Sequence, residues 1–159
     1  MENLEDLKRK YEEIGKEIKK RLENLRDRKT RCEFGEAYYY ITAFGQVNKS
    51  IEFLVSTDEA RFNFNNYFKT REEAKKQLEK ITINNQLKNI ADELNTENPI
   101  NWDDDSQKKY SIIYDVFNKR LVNTGSSLYK TCEIFCTNSN FLDIAIERIG
   151  ENNLKKLFT

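Results

Sequence analysis

The chain of 159 residues contains no histidine, one proline and five glycines. Without histidine it cannot form a Ser-His or Cys-His pair, a histidine general base or a histidine-bearing zinc site. The single proline argues against a disordered linker, and the glycines do not form a phosphate-binding loop. These absences exclude most routes of nucleophilic, metal-dependent and nucleotide-driven catalysis. We therefore expect no cofactor and no enzymatic activity.

The sequence also lacks a run of about 18 apolar residues, and it does not begin with the basic-then-apolar pattern of a signal peptide. Its cysteines, Cys32, Cys132 and Cys136, are an odd number that suits a reducing compartment better than a disulfide framework. Cys132 and Cys136 are four residues apart in a predicted strand, so we expect them about 13 Å apart, too far for a mutual disulfide. The sequence predicts a cytoplasmic protein.

Charge is balanced overall, with 27 basic and 27 acidic residues, so the net field neither attracts nor repels nucleic acid. The charges are nevertheless separated along the chain. Residues 1–33 are predicted to form a long amphipathic helix, whose apolar residues have the spacing of a coiled-coil seam: Leu4, Leu7, Tyr11, Ile14, Ile18, Leu22 and Leu25. Such a helix buries one side on its own domain, in a dimer or in a partner's groove.

From Lys16 onward the outer side of this predicted helix is basic. It is either a solvated helix face or a contact for phosphates or for an acidic partner surface. The contact residues predicted for the second interpretation are Lys16, Lys20, Arg26 and Arg28.

Residues 34–159 are predicted to form a single α+β domain of two modules, residues 37–94 and 107–158. Apolar alternation predicts three strands in each module: residues 37–44, 47–55 and 61–68 in the first, and 109–117, 120–122 and 128–135 in the second. A helix follows each third strand. Each module is too small to bury its sheet alone, so we expect one six-stranded antiparallel sheet with helices on one face. The long N-terminal helix precedes this sheet in the sequence.

The change from strand to helix in the first module occurs within residues 61–81. Phe62, Phe64 and Phe68 alternate with polar residues, and a capping box of Thr70 and Glu73 then starts a helix over residues 70–81. A separate helix is predicted over residues 84–94. In the second module, Phe135-x-Thr137 matches Phe68-x-Thr70, and Gly150 ends the helix. Thr70 with Glu73 is interpreted as a cap, and the residues interpreted as core are Phe62, Phe64, Phe68, Ala74, Leu78 and Ile81.

The loop of residues 95–105 contains Trp102, Asp103, Asp104 and Asp105, and residues 92–105 carry acids but no base. Three interpretations stay open: a solvated loop, an acidic surface that binds a basic groove, or a Mg²⁺ site for phosphodiester hydrolysis. The absence of a second acidic cluster with a nearby lysine disfavours the metal site. Tyrosines such as Tyr38–Tyr40 permit stacking with nucleobases, although the sheet segments carry few lysines and arginines to contact phosphates.

Four stretches of the chain carry a resemblance: Tyr38-Tyr-Tyr-Ile41, Asn65-Asn-Tyr-Phe-Lys-Thr-Arg-Glu-Glu-Ala74, Trp102, and Phe135 to Gly150. In these it resembles small phage and mobile-element proteins of Firmicutes, over residues 37–158. Some of those proteins are anti-CRISPR proteins, which bind the RNA-guided nuclease of type II systems and inhibit it without an enzymatic step. The resemblance implies a type II Cas nuclease as partner, held through its target-strand nuclease domain or blocked sterically.

The functional hypothesis is thus an anti-CRISPR inhibitor, a monomer or a dimer through the N-terminal helix, acting in the host bacterial cell. Its predicted contacts are the basic helix residues named above together with Trp102, Asp103, Asp104 and Asp105. The alternative is a phage accessory protein that binds nucleic acid through the basic helix, with Lys19, Lys20 and Arg21 in contact with phosphates. A nuclease that uses the three aspartates is a third class.

Overall fold

The computed structural model describes Lys10 and residues 13–16, 30–124 and 133–158. These residues are α+β, with two separate two-stranded antiparallel sheets among them. The prediction of a long N-terminal helix followed by one six-stranded sheet is wrong. Within residues 1–33, Lys10 and residues 13–16 (α1) are helical and residues 30–33 are not; the rest of that prediction lies outside the described residues.

The described chain divides into two compact units. The first contains residues 30–40 and 48–70, together with α1 and Lys10. The second contains residues 41–47, 71–124 and 133–158.

Strand β1 (Ala37–Ile41) pairs with β2 (Val47–Ile51), and helix α2 (Ser56–Asn63) follows; apart from Ile41 and Val47, these residues belong to the first unit. The predicted third strand over residues 61–68 is wrong, because residues 61–63 belong to α2 and, within 61–68, only Phe68 pairs, in an isolated bridge with Tyr39. The helix is favoured because Asp58 and Glu59 lie in its first turn, where carboxylates complement the helix dipole.

Helix α3 (Arg71–Leu94) begins directly after Thr70, as the capping box predicts, but it is one helix of 24 residues rather than two. No glycine or proline interrupts residues 82–84, and Ile83 continues the buried side that begins at Ala74. The expectation that Phe64 and Ile81 belong to the core is wrong, since they are 83% and 41% exposed.

In the second unit, β3 (Ile112–Asp115) and β4 (Arg120–Asn123) form an antiparallel hairpin in which Tyr114 is opposite Leu121. Both strands differ by a few residues from the predicted ranges. The predicted strand 128–135 and the spacing of Cys132 from Cys136 fall largely on residues 125–132, outside the described ranges.

Helix α4 (Phe141–Ile149) ends at Gly150, as predicted, and Gly150 adopts φ +93°, a conformation that favours glycine. Helix α5 (Glu151–Lys155) and a 3₁₀ turn (Lys156–Phe158) complete the described chain. The core of this unit lies between α3, the hairpin and the two C-terminal helices, and it contains Ile83, Leu87, Ile90, Ala91, Ile112, Leu121, Cys136, Phe141, Ala145, Ile149 and Leu154.

Two isolated bridges share a local arrangement. Each bridge involves a segment that precedes a helix: Tyr39 of β1 pairs with Phe68, ahead of α3, and Tyr110, two residues before β3, pairs with Cys136, ahead of α4. Each bridge has both backbone hydrogen bonds, with N···O distances of 2.7 and 2.8 Å. The bridges align Phe68 with Cys136, one residue away from the alignment with Phe135 that the sequence motif predicts.

Candidate interaction surface

The first unit contains a tight turn at residues 33–36, where the chain approaches the end of β2. The Gly35 amide donates to the Glu52 carbonyl and the Glu52 amide donates to the Glu36 carbonyl, both at 2.8 Å. Gly35 has φ +87°, which only glycine adopts at little cost. These bonds place Phe34 at the turn, where it is 67% exposed.

Glu52 is completely buried, and both oxygens of its carboxylate are occupied. Arg31 donates to each oxygen at 2.9 Å, from Nε and Nη2. The Tyr67 hydroxyl donates to Oε2 and the Leu54 amide donates to Oε1, both at 2.7 Å. The pKa of Glu52 lies below its ordinary value. The hydrogen bond from Arg31 is the largest cause; burial opposes it, and the hydrogen bond from Tyr67 lowers the pKa further.

Asp58, in the first turn of α2, is a second buried carboxylate and binds the next stretch of backbone. It accepts the Phe53 amide at 3.0 Å and the Tyr38 hydroxyl at 2.6 Å. Burial alone raises the pKa of Asp58, but the hydrogen bonds from Tyr38 and Phe53 outweigh it and the pKa is lowered. Burial, and then the bond to this carboxylate, raises the pKa of Tyr38.

Aromatic rings link the two carboxylates. Tyr38 and Tyr67, which bind Asp58 and Glu52 respectively, stack with ring centroids 4.0 Å apart. Arg61 donates to the Tyr38 oxygen at 2.6 Å, and its guanidinium lies 3.7 Å from the centroid of the Tyr40 ring. Each hydrogen bond described in this network has a carboxylate or a guanidinium as one partner, and together these bonds fix one arrangement of the backbone segments that they join.

That arrangement leaves apolar side chains pointing into solvent. Phe34, Phe53, Leu54 and Val55, which we call the apolar ridge, are 67%, 54%, 59% and 49% exposed. The Phe34 and Phe53 rings meet edge to face at 5.9 Å. Along residues 52–55 the usual order is reversed, because the acid lies inside and the hydrophobic residues lie outside.

Backbone strain accompanies this reversal. Leu54 has φ +57°, in the left-handed region, which costs a residue with a side chain about 1 kcal/mol. Its amide is held by Glu52 and the preceding amide by Asp58. The buried carboxylates thus maintain a conformation that the local sequence does not prefer.

The two lowered pKa values predict a pH dependence. A carboxylate with a lowered pKa in the folded state stabilises it above the unfolded-state pKa, about 4, and that contribution is lost as pH falls through the folded-state pKa. We expect urea unfolding to show that Glu52→Gln removes part of the stability difference between about pH 7 and about pH 3. Identical pH slopes for the variant and the wild type would contradict a buried, ionised Glu52.

The predicted contact residues of the acidic loop lie in the second unit. Trp102 packs against Phe135 edge to face, with ring centroids 5.2 Å apart. Lys109, only 2% exposed, lies 5.4 Å from the Trp102 ring centroid, and its ammonium donates to the carbonyls of Asp104 and Gln107 at 2.9 Å. A buried lysine therefore binds the backbone of this loop from within.

The aspartates of the loop differ in their surroundings. The Asp104 carboxylate accepts the Ser106 hydroxyl at 2.6 Å and the Ser106 amide at 2.9 Å, and these bonds lower the pKa of Asp104. Asp103 and Asp105 are exposed. The structure brings Trp102 and the three aspartates together on one loop, with Asp104 engaged in shaping it.

Of the predicted basic contacts, Lys16 is exposed in α1, and Lys20, Arg26 and Arg28 lie outside the described residues. Their role in binding stays a prediction. Sequence reasoning missed the apolar ridge because it predicts one strand over residues 47–55, whereas residues 52–55 lie in no regular element. The available signal was the acid within the apolar run Ile51-Glu-Phe-Leu-Val55.

Two kinds of site are absent from the described ranges. No group of three or more Cys, Asp or Glu side chains among these residues is arranged to hold a metal ion. None of their helices combines the length and apolar character that crossing a bilayer requires.

Comparison of the chain with protein-family models, with curated proteins and with solved structures found no match. The resemblance to anti-CRISPR proteins therefore stays a prediction.

Proposed function

We propose that this protein acts without catalysis, by binding another protein through the apolar ridge. The observation that carries the proposal is the buried pair Glu52 and Asp58, whose carboxylates hold the amides of Leu54 and Phe53 and so keep this segment in place. Apolar side chains ordinarily gain about 1.5–3 kcal/mol each from full burial. A fixed set of them in solvent is typical of a surface that another molecule covers.

The strain at Leu54 supports the same conclusion. Glycine would adopt φ +57° without a steric penalty, so leucine at this exposed position costs stability in the isolated chain. Binding would recover that cost if the leucine side chain contacts a partner. Aromatic residues such as Phe34 and Phe53 add the type of contact that dominates protein interfaces.

The partner we propose is the nuclease of a type II CRISPR system, as the resemblance implies, and the outcome is inhibition of DNA cleavage. The exposed aspartates Asp103 and Asp105, and the basic residues predicted near the N-terminus, are further candidate contacts in this proposal. The choice of nuclease rests on the resemblance alone, whereas the protein-binding mode rests on the ridge.

Phe53→Ser tests the proposal, with Phe117→Ser as the matched control. Both phenylalanines are exposed, at 54% and 93%, but Phe117 lies in the turn between β3 and β4, in the other unit. In a cleavage assay with candidate nucleases, guide RNA and target DNA, we expect the wild type and Phe117→Ser to inhibit. Phe53→Ser should lose about 30-fold or more in affinity, as removal of a central interface residue does.

Leu54→Gly separates a loss of binding from a loss of folding. It relieves the strain, so thermal unfolding should show stability equal to the wild type or higher by about 1 kcal/mol, while partner binding falls. Unchanged cleavage with no co-purifying complex across the candidate nucleases would refute the choice of partner. Salt-sensitive gel shifts by the pure protein would favour the nucleic-acid-binding alternative, and Mg²⁺-dependent degradation of DNA or RNA would favour a nuclease.

A further inference from the structure

The chemistry around the apolar ridge indicates what kind of segment would cover it. Glu33 and Glu36 flank Phe34 in the 33–36 turn, and both are exposed. Glu59 is exposed in the first turn of α2, where its amide donates to the Val55 carbonyl at 3.1 Å. Acids therefore adjoin the ridge at both of its ends in the sequence.

The bases of the same segments do not balance these acids at the surface. Arg31 donates to buried Glu52 from Nε and Nη2, and its side chain is only 26% exposed. Arg61 is directed to the Tyr38 hydroxyl and the Tyr40 ring. Both guanidiniums are engaged by the network beneath the ridge, so within the described residues 30–36 and 52–61 the exposed charged side chains are acidic.

The extent of the ridge also limits its partner. Two phenylalanines, a leucine and a valine, each about half exposed, present on the order of 400 Å² of apolar surface. Two copies meeting through this surface alone would bury on the order of 800 Å², below the roughly 1,200 Å² of a stable specific interface. A short segment laid across the ridge fits this area better than a second copy does.

From these observations we infer that the ridge binds a short amphipathic segment of a partner protein, in which apolar residues are flanked by lysine or arginine. The apolar residues would cover Phe34, Phe53, Leu54 and Val55, and the bases would face Glu33, Glu36 and Glu59. This inference rests on the proposed protein-binding function and specifies the chemistry of its partner. Amphipathic helices with apolar anchors at intervals of three and four residues are a common form of such segments.

The test uses the full chain and two fluorescent helical peptides with identical leucine spacing, one with lysine and one with glutamate at the remaining positions. Fluorescence anisotropy should show about tenfold tighter binding of the lysine peptide, a preference that high salt reduces. Phe53→Ser should abolish this binding, and Phe117→Ser should not.

Paired charge variants separate local from global electrostatics. Glu33→Gln with Glu59→Gln removes two negative charges beside the ridge, and Asp92→Asn with Glu97→Gln removes two exposed ones in the second unit. We expect the first pair to weaken binding of the lysine peptide about fivefold or more and the second pair to leave it unchanged.

The alternative outcomes are distinct. Equal binding of both peptides, lost in Phe53→Ser, would overturn the charge assignment and leave the proposed function intact. Lysine-peptide binding that survives Phe53→Ser would place the site elsewhere and overturn the inference. A concentration-dependent dimer in sedimentation, absent in Phe53→Ser, would assign the ridge to a second copy instead. If the protein is a monomer and binds neither peptide, the inference is contradicted. The cleavage assay would still decide the proposed function.

Discussion

Glu52→Ala is expected to destabilise the first unit by about 3 kcal/mol or more. The substitution leaves the Tyr67 hydroxyl and the Leu54 amide without their acceptor and removes the counter-charge of Arg31. Each buried polar group that loses its partner costs about 1–3 kcal/mol. Water that enters the space left by the Glu52 side chain cannot restore the negative charge beside Arg31.

Hydrogen exchange at individual amides measures this effect where it arises. The amides of Tyr39 and Phe68 report the bridge of the first unit, and the Leu54 amide reports the bond to Glu52 itself. Protection at these amides should fall by about two orders of magnitude, whereas Glu59→Ala, at an exposed acid, should change the stability by at most about 0.5 kcal/mol. Protection that is the same in Glu52→Ala and wild type would show that the network does not hold this unit together.

Glu52→Gln refines the comparison, because glutamine retains the side-chain volume and one oxygen acceptor. It cannot accept from Arg31 at two oxygens, so its effect should lie between that of the wild type and that of alanine. If Glu52→Gln lowers the stability as much as Glu52→Ala does, most of the stabilisation by Glu52 comes from its charge, because glutamine nearly preserves the packing.

Phe141→Ala is expected to destabilise the second unit by about 3–5 kcal/mol, the usual cost of removing a buried phenylalanine ring. Phe141 is 0% exposed at the first residue of α4, within the core cluster formed with α3 and the β3–β4 hairpin. Neighbours such as Ala145 are too small to fill the cavity, so the loss should approach the upper part of this range.

The single tryptophan makes this measurement direct. Trp102 packs against Phe135 in the same unit, so its fluorescence reports the unfolding of that unit in urea. The control, Phe117→Ala, removes the same ring from a position that is 93% exposed and should shift the free energy of unfolding by at most about 0.5 kcal/mol. Similar shifts for both variants would contradict the assignment of Phe141 to the core.

Local chemistry allowed the C-terminal part of the fold to be predicted closely. The apolar spacing from Phe141 to Ile149 and the glycine at 150 define a helix and its end without reference to any other element. The start of α3 after Thr70 is similarly local, because a capping box depends on residues three positions apart. The continuation of α3 to Leu94 was missed because Ile83 is buried by contacts with other elements.

The segment from Ile51 to Asn63 could not be predicted in the same way. Its apolar and polar residues alternate well enough for strands, yet residues 56–63 are helical and residues 52–55 belong to no regular element. The decisive contacts are with residues 15 to 21 positions away in the sequence: Tyr67 and Arg31 with Glu52, and Tyr38 with Asp58. A reading of local periodicity contains no information about such partners.

By itself, the sequence excluded the kinds of chemistry that need histidine. It also determined the helices whose caps and apolar spacing are set by neighbouring residues. Only the tertiary structure decided that Glu52 and Asp58 lie inside while Phe53, Leu54 and Val55 lie outside. The physical reason is that a carboxylate can be buried only where distant donors meet it, and their meeting depends on how the whole unit folds.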